Sequence, residues 1–132
     1  YCGFLTKGKC FRYDVNPDYK ANRKYSDLPP YISEVKEYLV SKHKFMSIEG
    51  YEADDLVMSY NKPNYDKLIV SPDKDILYAV NKGFNPKTSN YVENTDDEIF
   101  TYFWSSMVIG DAVDNIKGIP GKGEAFVKKM LK

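Results

Sequence analysis

In the first half of the chain, the spacing of hydrophobic and polar positions predicts a helix followed by a strand. Ile32, Val35 and Leu39 recur at helical spacing between residue 31 and about residue 44. A pair of prolines precedes this segment, and proline bars a helix before it but can open one after it. Residues 45–48 form a short apolar run that predicts a strand.

The second half begins with the clearest strand of the chain, at residues 67–71. This run is short, continuous and apolar, which is typical of a buried parallel strand. Residues 76–80 predict a helical turn. A polar stretch rich in Asn, Lys, Gly and Pro then predicts a hairpin, with strands near 83–84 and 91–92.

A longer helix is predicted after the hairpin. Thr95 and Glu98 have the spacing of a capping box before an apolar run that ends near Val108. Helical periodicity predicts that several large apolar side chains of this helix are core residues rather than a stacking platform: Ile99, Phe100, Phe103, Trp104 and Met107.

Acidic residues are concentrated in three clusters. One lies at the start of a helix predicted at 52–60, one directly follows the strand at 67–71, and one lies in a loop. The seven carboxylates are Glu52, Asp54, Asp55, Asp73, Asp75, Asp111 and Asp114. If the fold brings the clusters together, their repulsion is relieved by hard divalent cations with oxygen ligands. We therefore hypothesise a carboxylate-built metal site for phosphodiester chemistry.

Ordinary structural roles account for part of this pattern. Acidic residues favour the first turn of a helix. An Asp cap at a strand-to-helix turn would explain one of Asp73 and Asp75, but not both.

The chain has no net charge, but its charges are segregated. Residues 1–48 carry nine basic and five acidic residues, residues 49–114 five and thirteen, and residues 115–132 five and one. An acidic middle between basic ends suits a metal site flanked by surfaces for a polyanion. Acidic residues that merely face solvent would explain the segregation equally well.

Two segments are candidates for phosphate binding. Tyr19 precedes three cations within residues 20–24, which suits a phosphate clamp with an aromatic stacking surface, although an ordinary basic loop explains this segment alone. Three glycines between 118 and 123 open a helix predicted at 124–131, where backbone N–H groups can face an anion.

Composition indicates one globular domain. The chain has 132 residues, of which 42% are hydrophobic and 29% charged. The two cysteines make no disulfide framework and no zinc spacing, which fits a reducing cytosol. No apolar run reaches membrane-spanning length.

Four motifs in order resemble the 5′ nuclease family, which includes phage flap endonucleases and the 5′→3′ exonuclease domain of bacterial DNA polymerase I. They are Tyr19-Lys20 with Arg23, Glu52-Ala53-Asp54-Asp55, Asp73-Lys74-Asp75, and the segment 110–123. The resemblance implies an α/β fold, a PIN-like parallel sheet flanked by helices. It implies a nuclease core at 1–109 with a helical arch near 27–45. Residues 110–132 would begin a helix–three-turn–helix DNA-binding element.

The resemblance also implies roles for individual residues in a metal-dependent, structure-specific 5′→3′ exonuclease or flap endonuclease. Lys20 and Arg23 would contact the scissile phosphate, and the seven carboxylates would hold two Mg²⁺ or Mn²⁺ ions. The backbone carbonyls of Ile116 and Ile119 would bind K⁺. DNA would be contacted by Tyr19, Lys117, Gly118, Gly121, Lys122, Gly123 and Lys128.

The implied partner is DNA with a 5′ end or flap and an adjacent duplex, bound by a monomer in the cytoplasm of a bacterial or phage-infected cell, with no membrane involved. Two departures from the family pattern stand out. No first strand ending in Asp is present, and Thr6 stands near a position where the family has an acid. The chain also begins with Tyr1, so we expect a truncated chain that is inactive or weakly active alone.

Three functions compete at this point. The first is the 5′ nuclease in replication and repair, which the seven retained acids favour. The second is a non-catalytic relative that keeps duplex binding, which the missing acids favour. The third is a related nuclease of the PIN type that cleaves RNA.

Overall fold

A computed structural model describes residues 1–24, 28–61 and 66–131 of the chain. These residues form two compact units, Tyr1–Tyr60 and Asn61–Lys132. The arch predicted near 27–45 begins at residue 27, outside the described residues. The predicted division into a nuclease core and a DNA-binding element after residue 109 stays a prediction.

The first unit combines a pair of parallel strands with three helices. Gly3 pairs with Phe45 and Phe4 with Met46 in a parallel register. The predicted helix and strand of this region are confirmed, with shorter bounds. The elements are β1 (Gly3–Phe4), α1 (Arg12–Val15), α2 (Ile32–Lys42), β2 (Phe45–Met46) and α3 (Ala53–Tyr60).

The second unit contains a three-stranded sheet, a two-stranded ribbon and three helices. Its elements are β3 (Ile69–Val70), α4 (Lys74–Tyr78), β4 (Lys82–Asn85), β5 (Asn90–Glu93), α5 (Asp96–Ile109), β6 (Gly110–Asp111), β7 (Ile116–Lys117) and α6 (Glu124–Met130). β3 and β4 are parallel, whereas β4 and β5 form the predicted antiparallel hairpin. β6 and β7 form the antiparallel ribbon.

The core of the second unit lies between α4 and the hairpin. Val80 is fully buried, and Ile76 and Leu77 are nearly so. A Cβ atom on Gly83 would lie 2.6 Å from the Leu77 side chain and 2.8 Å from the Val92 side chain, so a larger residue there would force these core side chains to move. The packing fixes β3 and α4, and therefore the turn between them that carries Asp73.

Helix α5 starts as predicted but buries a different face. Thr95 and Glu98 make both hydrogen bonds of a capping box. The prediction that five large apolar side chains of this helix are core is wrong for four of them, because Phe100, Phe103, Trp104 and Met107 are 43–61% exposed.

The inward face of α5 is set by its neighbours in the second unit. It carries Ile99 and Val108, with Tyr102 between them against the ring of Tyr78. Apolar residues occur around most of the helix circumference, so periodicity alone could not choose the packed face. In the part of the chain that is described, no helix is long and apolar enough to span a membrane.

The residue that follows β7, Gly118, approaches the end of α5 so closely that only glycine fits, which gives a first testable prediction. A Cβ atom on Gly118 would collide with the backbone carbonyl groups of Ile109 and Val108. We expect Gly118→Ala to lower the free energy of unfolding by about 1–3 kcal/mol, as overpacking typically does. Urea denaturation measures this change.

Gly123 is the matched control for this substitution. It has an ordinary negative φ, and a Cβ atom there would meet nothing within 4 Å. Gly123 is the N-cap of α6, where Ala is less favourable than Gly, so Gly123→Ala should lower the free energy of unfolding by less than about 1 kcal/mol. Equal losses for the two variants would show that the close approach at Gly118 is not formed.

Candidate active site

The amino end of α3 presents the first acidic cluster. Asp55 reaches back so that its Oδ2 accepts the backbone N–H of Glu52 at 3.0 Å. Thr6 Oγ1 accepts the N–H of Ala53, also at 3.0 Å. Because the first N–H groups of a helix have no partner within it, these bonds complete the helix start and fix the backbone of the cluster.

Arg12, in α1, holds Asp55 with both arms of its guanidinium. Nη1 donates to Oδ2 at 2.8 Å and Nη2 donates to Oδ1 at 2.5 Å. This two-armed geometry is the strongest form of the arginine–carboxylate pair. The hydrogen bonds from Arg12 lower the pKa of the Asp55 carboxyl below its ordinary value, and Asp55 in turn raises the pKa of Arg12.

Glu52 accepts hydrogen bonds from the segment at 19–24, which was predicted from the sequence to bind phosphate. Lys20 Nζ donates to Glu52 Oε1 at 2.6 Å, and the Tyr19 hydroxyl donates to Oε2 at 2.9 Å. Arg12 Nη1 lies 3.6 Å from the same Oε2. The structure thus joins the predicted phosphate contact Lys20 to the acidic cluster within one unit.

Tyr19 is 3% exposed, and its ring packs edge-on against Tyr13. In this arrangement the ring does not offer the stacking surface expected from the sequence, because its faces are covered. Its hydroxyl instead orients Glu52. Arg23 is exposed, and its N–H donates to the Lys20 carbonyl at 3.0 Å, which closes the turn after Lys20.

The second acidic cluster lies in the other unit, after β3. Asp73 is the N-cap of α4, and its Oδ1 accepts the N–H of Asp75 at 2.9 Å. Asp75 Oδ1 accepts the hydroxyl proton of Tyr102 at 2.5 Å. Burial, with the hydrogen bond to Asp75 as a second cause, raises the pKa of Tyr102. One aspartate therefore caps a helix, as expected, and the other has a partner on α5.

The third cluster runs from the last residue of β6 into the turn before β7. Asp111 Oδ1 accepts the N–H of Val113 at 2.8 Å and that of Asp114 at 3.3 Å. Asn115 then adopts a left-handed conformation with φ of 57°. These bonds hold Asp111 and Asp114 on one short turn.

The predicted metal ligands are divided between the two units. Glu52, Asp54 and Asp55 belong to the first unit, and the other four carboxylates belong to the second. Among the described residues of either unit, no three acidic, His or Cys side chains form by themselves a group that could hold a metal ion. The hypothesis that all three clusters share one site stays a prediction.

The segment after β7 is a tight turn that leads into α6. The N–H of Ile119 donates to the Val108 carbonyl at 2.8 Å, which ties the turn to the end of α5. The carbonyl of Ile119 accepts the N–H of Lys122 at 3.0 Å. Lys122 Nζ lies 4.3 Å from the ring centre of Phe126, and Lys128 forms an exposed pair with Glu124. The roles expected for Ile116, Lys117, Gly118, Gly121 and Gly123 in this segment stay predictions.

Two side chains that make prominent contacts in these clusters, Arg12 and Tyr102, were not predicted from the sequence. Arg12 is one of only two arginines in the chain, and it lies between two aromatic residues just before the basic segment. Because arginine is the preferred two-armed partner of a carboxylate, that position was a usable signal. Tyr102 carried no such signal, since tyrosines are frequent in this chain.

Comparison with known proteins identifies the family. Residues 2–103 match the model of the 5′–3′ exonuclease, N-terminal resolvase-like domain. The chain belongs to this family.

The chain is similar to proteins of bacteria and phage. It is 34% identical over 140 residues to DNA polymerase I of Borreliella burgdorferi, which covers 92% of the chain and 15% of the polymerase. The T5 D15 protein co-crystallised with metal ions has a TM-score of 0.80 and 23% identity, over 98% of this chain and 59% of that one. A complex of the bacteriophage T5 D15 flap endonuclease with DNA and metal ions has a TM-score of 0.73 and 22% identity, over 96% and 57%.

These two structures establish the fold of the chain as the α/β fold of the T5 proteins. The chain spans only a part of each protein it matches. The activity, substrate and partners of the whole protein are therefore matters for proposal.

Proposed function

We propose that this chain forms part of a metal-dependent 5′→3′ exonuclease or flap endonuclease that hydrolyses DNA phosphodiesters in replication and repair. The observation that carries the proposal is the placement of Lys20 at the acidic start of α3, 2.6 Å from Glu52. A cation beside carboxylates suits a reaction in which a phosphate must approach both. Family membership and the T5 complex with DNA and metal ions support the same conclusion.

The donor chemistry of the acidic clusters fits divalent metal ions. All seven side chains offer carboxylate oxygens, the ligands that Mg²⁺ and Mn²⁺ prefer. We propose that these carboxylates hold two such ions. Bound divalent ions would supply Lewis acidity and lower the pKa of water in phosphoryl hydrolysis.

The chain's own cations would act on the phosphate directly. Lys20 is held by Glu52 with its ammonium over the Tyr19 ring, 4.7 Å from the ring centre. From that position it can exchange part of its contact with Glu52 for a phosphate oxygen and stabilise charge that develops in the transition state. Arg23, exposed on the next turn, would bind the same or a neighbouring phosphate.

Duplex DNA would be held by the C-terminal turns and α6. Lys117, Lys122 and Lys128 would contact the phosphate backbone. The turn contains Gly118, Gly121 and Gly123, which would let its backbone approach the phosphate backbone of the DNA. Phosphate contacts carry no sequence information, so specificity would come from the shape of the DNA, such as a 5′ flap. K⁺ bound by the backbone carbonyls of Ile116 and Ile119 would also help to hold the duplex backbone.

Cleavage of a 5′-labelled DNA flap tests the proposal. With the full-length protein that contains this chain, we expect products in Mg²⁺ or Mn²⁺ and none in excess chelator, because clustered carboxylates repel a phosphate unless a cation lies between them. An RNA strand of the same sequence in the flap separates DNA from RNA specificity. Cleavage that persists in chelator, or that occurs only on RNA, would contradict the proposal.

One observation favours a second candidate, a DNA-binding relative without cleavage. Near a position where the family has an acidic residue, this chain has Thr6, and the Thr6 hydroxyl oxygen accepts the N–H of Ala53. The same flap assay separates the two functions. The binding protein would retain the flap in a gel-shift experiment but release no product in any divalent ion.

A further inference from the structure

Arg12 connects α1 to the start of α3, two segments of the first unit whose relative position matters for the proposed function. It lies in α1, whose start is fixed by the bond from the Phe11 N–H to the Gly50 carbonyl at 2.9 Å. From there the guanidinium spans to Asp55, 43 residues further along the chain. Nothing in the local sequence of either segment requires this contact.

The environment of Arg12 makes the contact a strong one. The Arg12 side chain is 33% exposed and that of Asp55 is 19% exposed, so water competes only in part. Both carboxylate oxygens of Asp55 accept from Arg12, and Oδ2 also accepts the Glu52 N–H. Asp55 is thereby fixed in position by three hydrogen bonds.

Glu52 transmits this fixed geometry to Lys20. Its own backbone is held by Asp55, and its side chain holds the Lys20 ammonium and the Tyr19 hydroxyl. Without Arg12, the Glu52 and Asp55 carboxylates would repel each other at the start of α3. Lys20 would then keep a partner but lose its defined direction.

We propose that Arg12 is a positioning residue, which sets the direction of Lys20 through Asp55 and Glu52. This inference rests on the proposed nuclease function of Lys20. It assigns to Arg12 no contact with the substrate.

A double-mutant cycle on the intact protein tests the proposal. We expect Arg12→Gln to lower the single-turnover cleavage rate about 10- to 100-fold, the scale of loss that misplacement of a reacting group produces. The Kd for duplex DNA should change less than threefold. Because Arg12 acts through Lys20, Arg12→Gln combined with Lys20→Ala should cleave no more slowly than Lys20→Ala alone.

Multiplied losses in the double variant would overturn the proposal, since they would mean that Arg12 acts through the proposed metal ligands Asp55 and Glu52 and not through Lys20. Arg12→Lys guards against loss of folding. It keeps the charge but lacks the two-armed geometry, so it should fold normally and still lose about 10-fold in rate, again through misplacement. A wild-type rate for Arg12→Lys would also refute a positioning role.

Amide hydrogen exchange gives a readout that does not depend on cleavage. The segment around Tyr19 and Lys20 should exchange faster in Arg12→Gln, while the hairpin of β4 and β5 in the second unit should be unchanged. Unchanged exchange at Tyr19 and Lys20 would refute the positioning of this segment even if the protein cleaves DNA. Faster exchange in a protein that cleaves nothing would place the failure in the proposed function instead.

Discussion

Replacing Asp73 with Asn is expected to abolish DNA cleavage while the affinity for duplex DNA stays the same or rises. Asp73 caps α4 through Oδ1, and Asn caps a helix as well as Asp does. The substitution therefore removes the charge of a proposed metal ligand but keeps the local structure. Loss of that charge also removes repulsion of the phosphate, which is why binding should not weaken.

Single-turnover cleavage and fluorescence anisotropy measure the two effects separately. Asp111→Asn should behave in the same way, since its amide oxygen can still accept the N–H groups of Val113 and Asp114. Asp66→Asn is the matched control. Asp66 lies in the same unit, has an 86% exposed side chain and forms an ion pair with Lys82. Cleavage by Asp73→Asn at a rate close to the original would remove Asp73 from the metal site.

Replacing Lys20 with Ala is expected to slow single-turnover cleavage roughly 100-fold, a loss of about 3 kcal/mol in transition-state stabilisation. The metal requirement should not change, because the carboxylates remain. The hydroxyl of Tyr19 still donates to Glu52, and Arg12 remains 3.6 Å away, so Glu52 is not left without a donor. The loss therefore reports on the ammonium group.

Lys7→Ala is the control for Lys20→Ala. Lys7 is a 62% exposed lysine of the same unit, and its Nζ lies 3.9 Å from Glu49. Removing the Lys7 side chain should leave the cleavage rate within about twofold of that of the original protein, as expected for an exposed ion pair. If Lys20→Ala cleaves as fast as Lys7→Ala, Lys20 does not act on the phosphate. If it instead needs much more Mg²⁺, Lys20 serves to arrange the carboxylates.

Much of the local structure could be predicted because its causes are local. The capping box of Thr95 and Glu98, the hairpin between 81 and 93, and the strand before Asp73 each depend on residues within a few positions of one another. The expectation that a cap would explain only one of Asp73 and Asp75 was also correct. Asp73 is the cap, and the partner of Asp75 is Tyr102, 27 residues further on.

The site itself depended on contacts that no local pattern specifies. The family resemblance implied that Lys20 and Glu52 belong to one site, but only the fold pairs them across 32 residues. The same holds for the burial of Tyr19, which was expected from the sequence to offer a stacking surface.

The sequence by itself determined the order of α2–α6 and of β2–β5, the three acidic clusters and the family to which the chain belongs. These follow from periodicity, capping and motif spacing, all of which are properties of the linear sequence. The tertiary structure alone decided which face of α5 is packed, that Tyr19 is buried, and that Arg12 holds Asp55. Each of these depends on where distant segments meet, and a pattern of side chains along one segment carries no information about its neighbours in space.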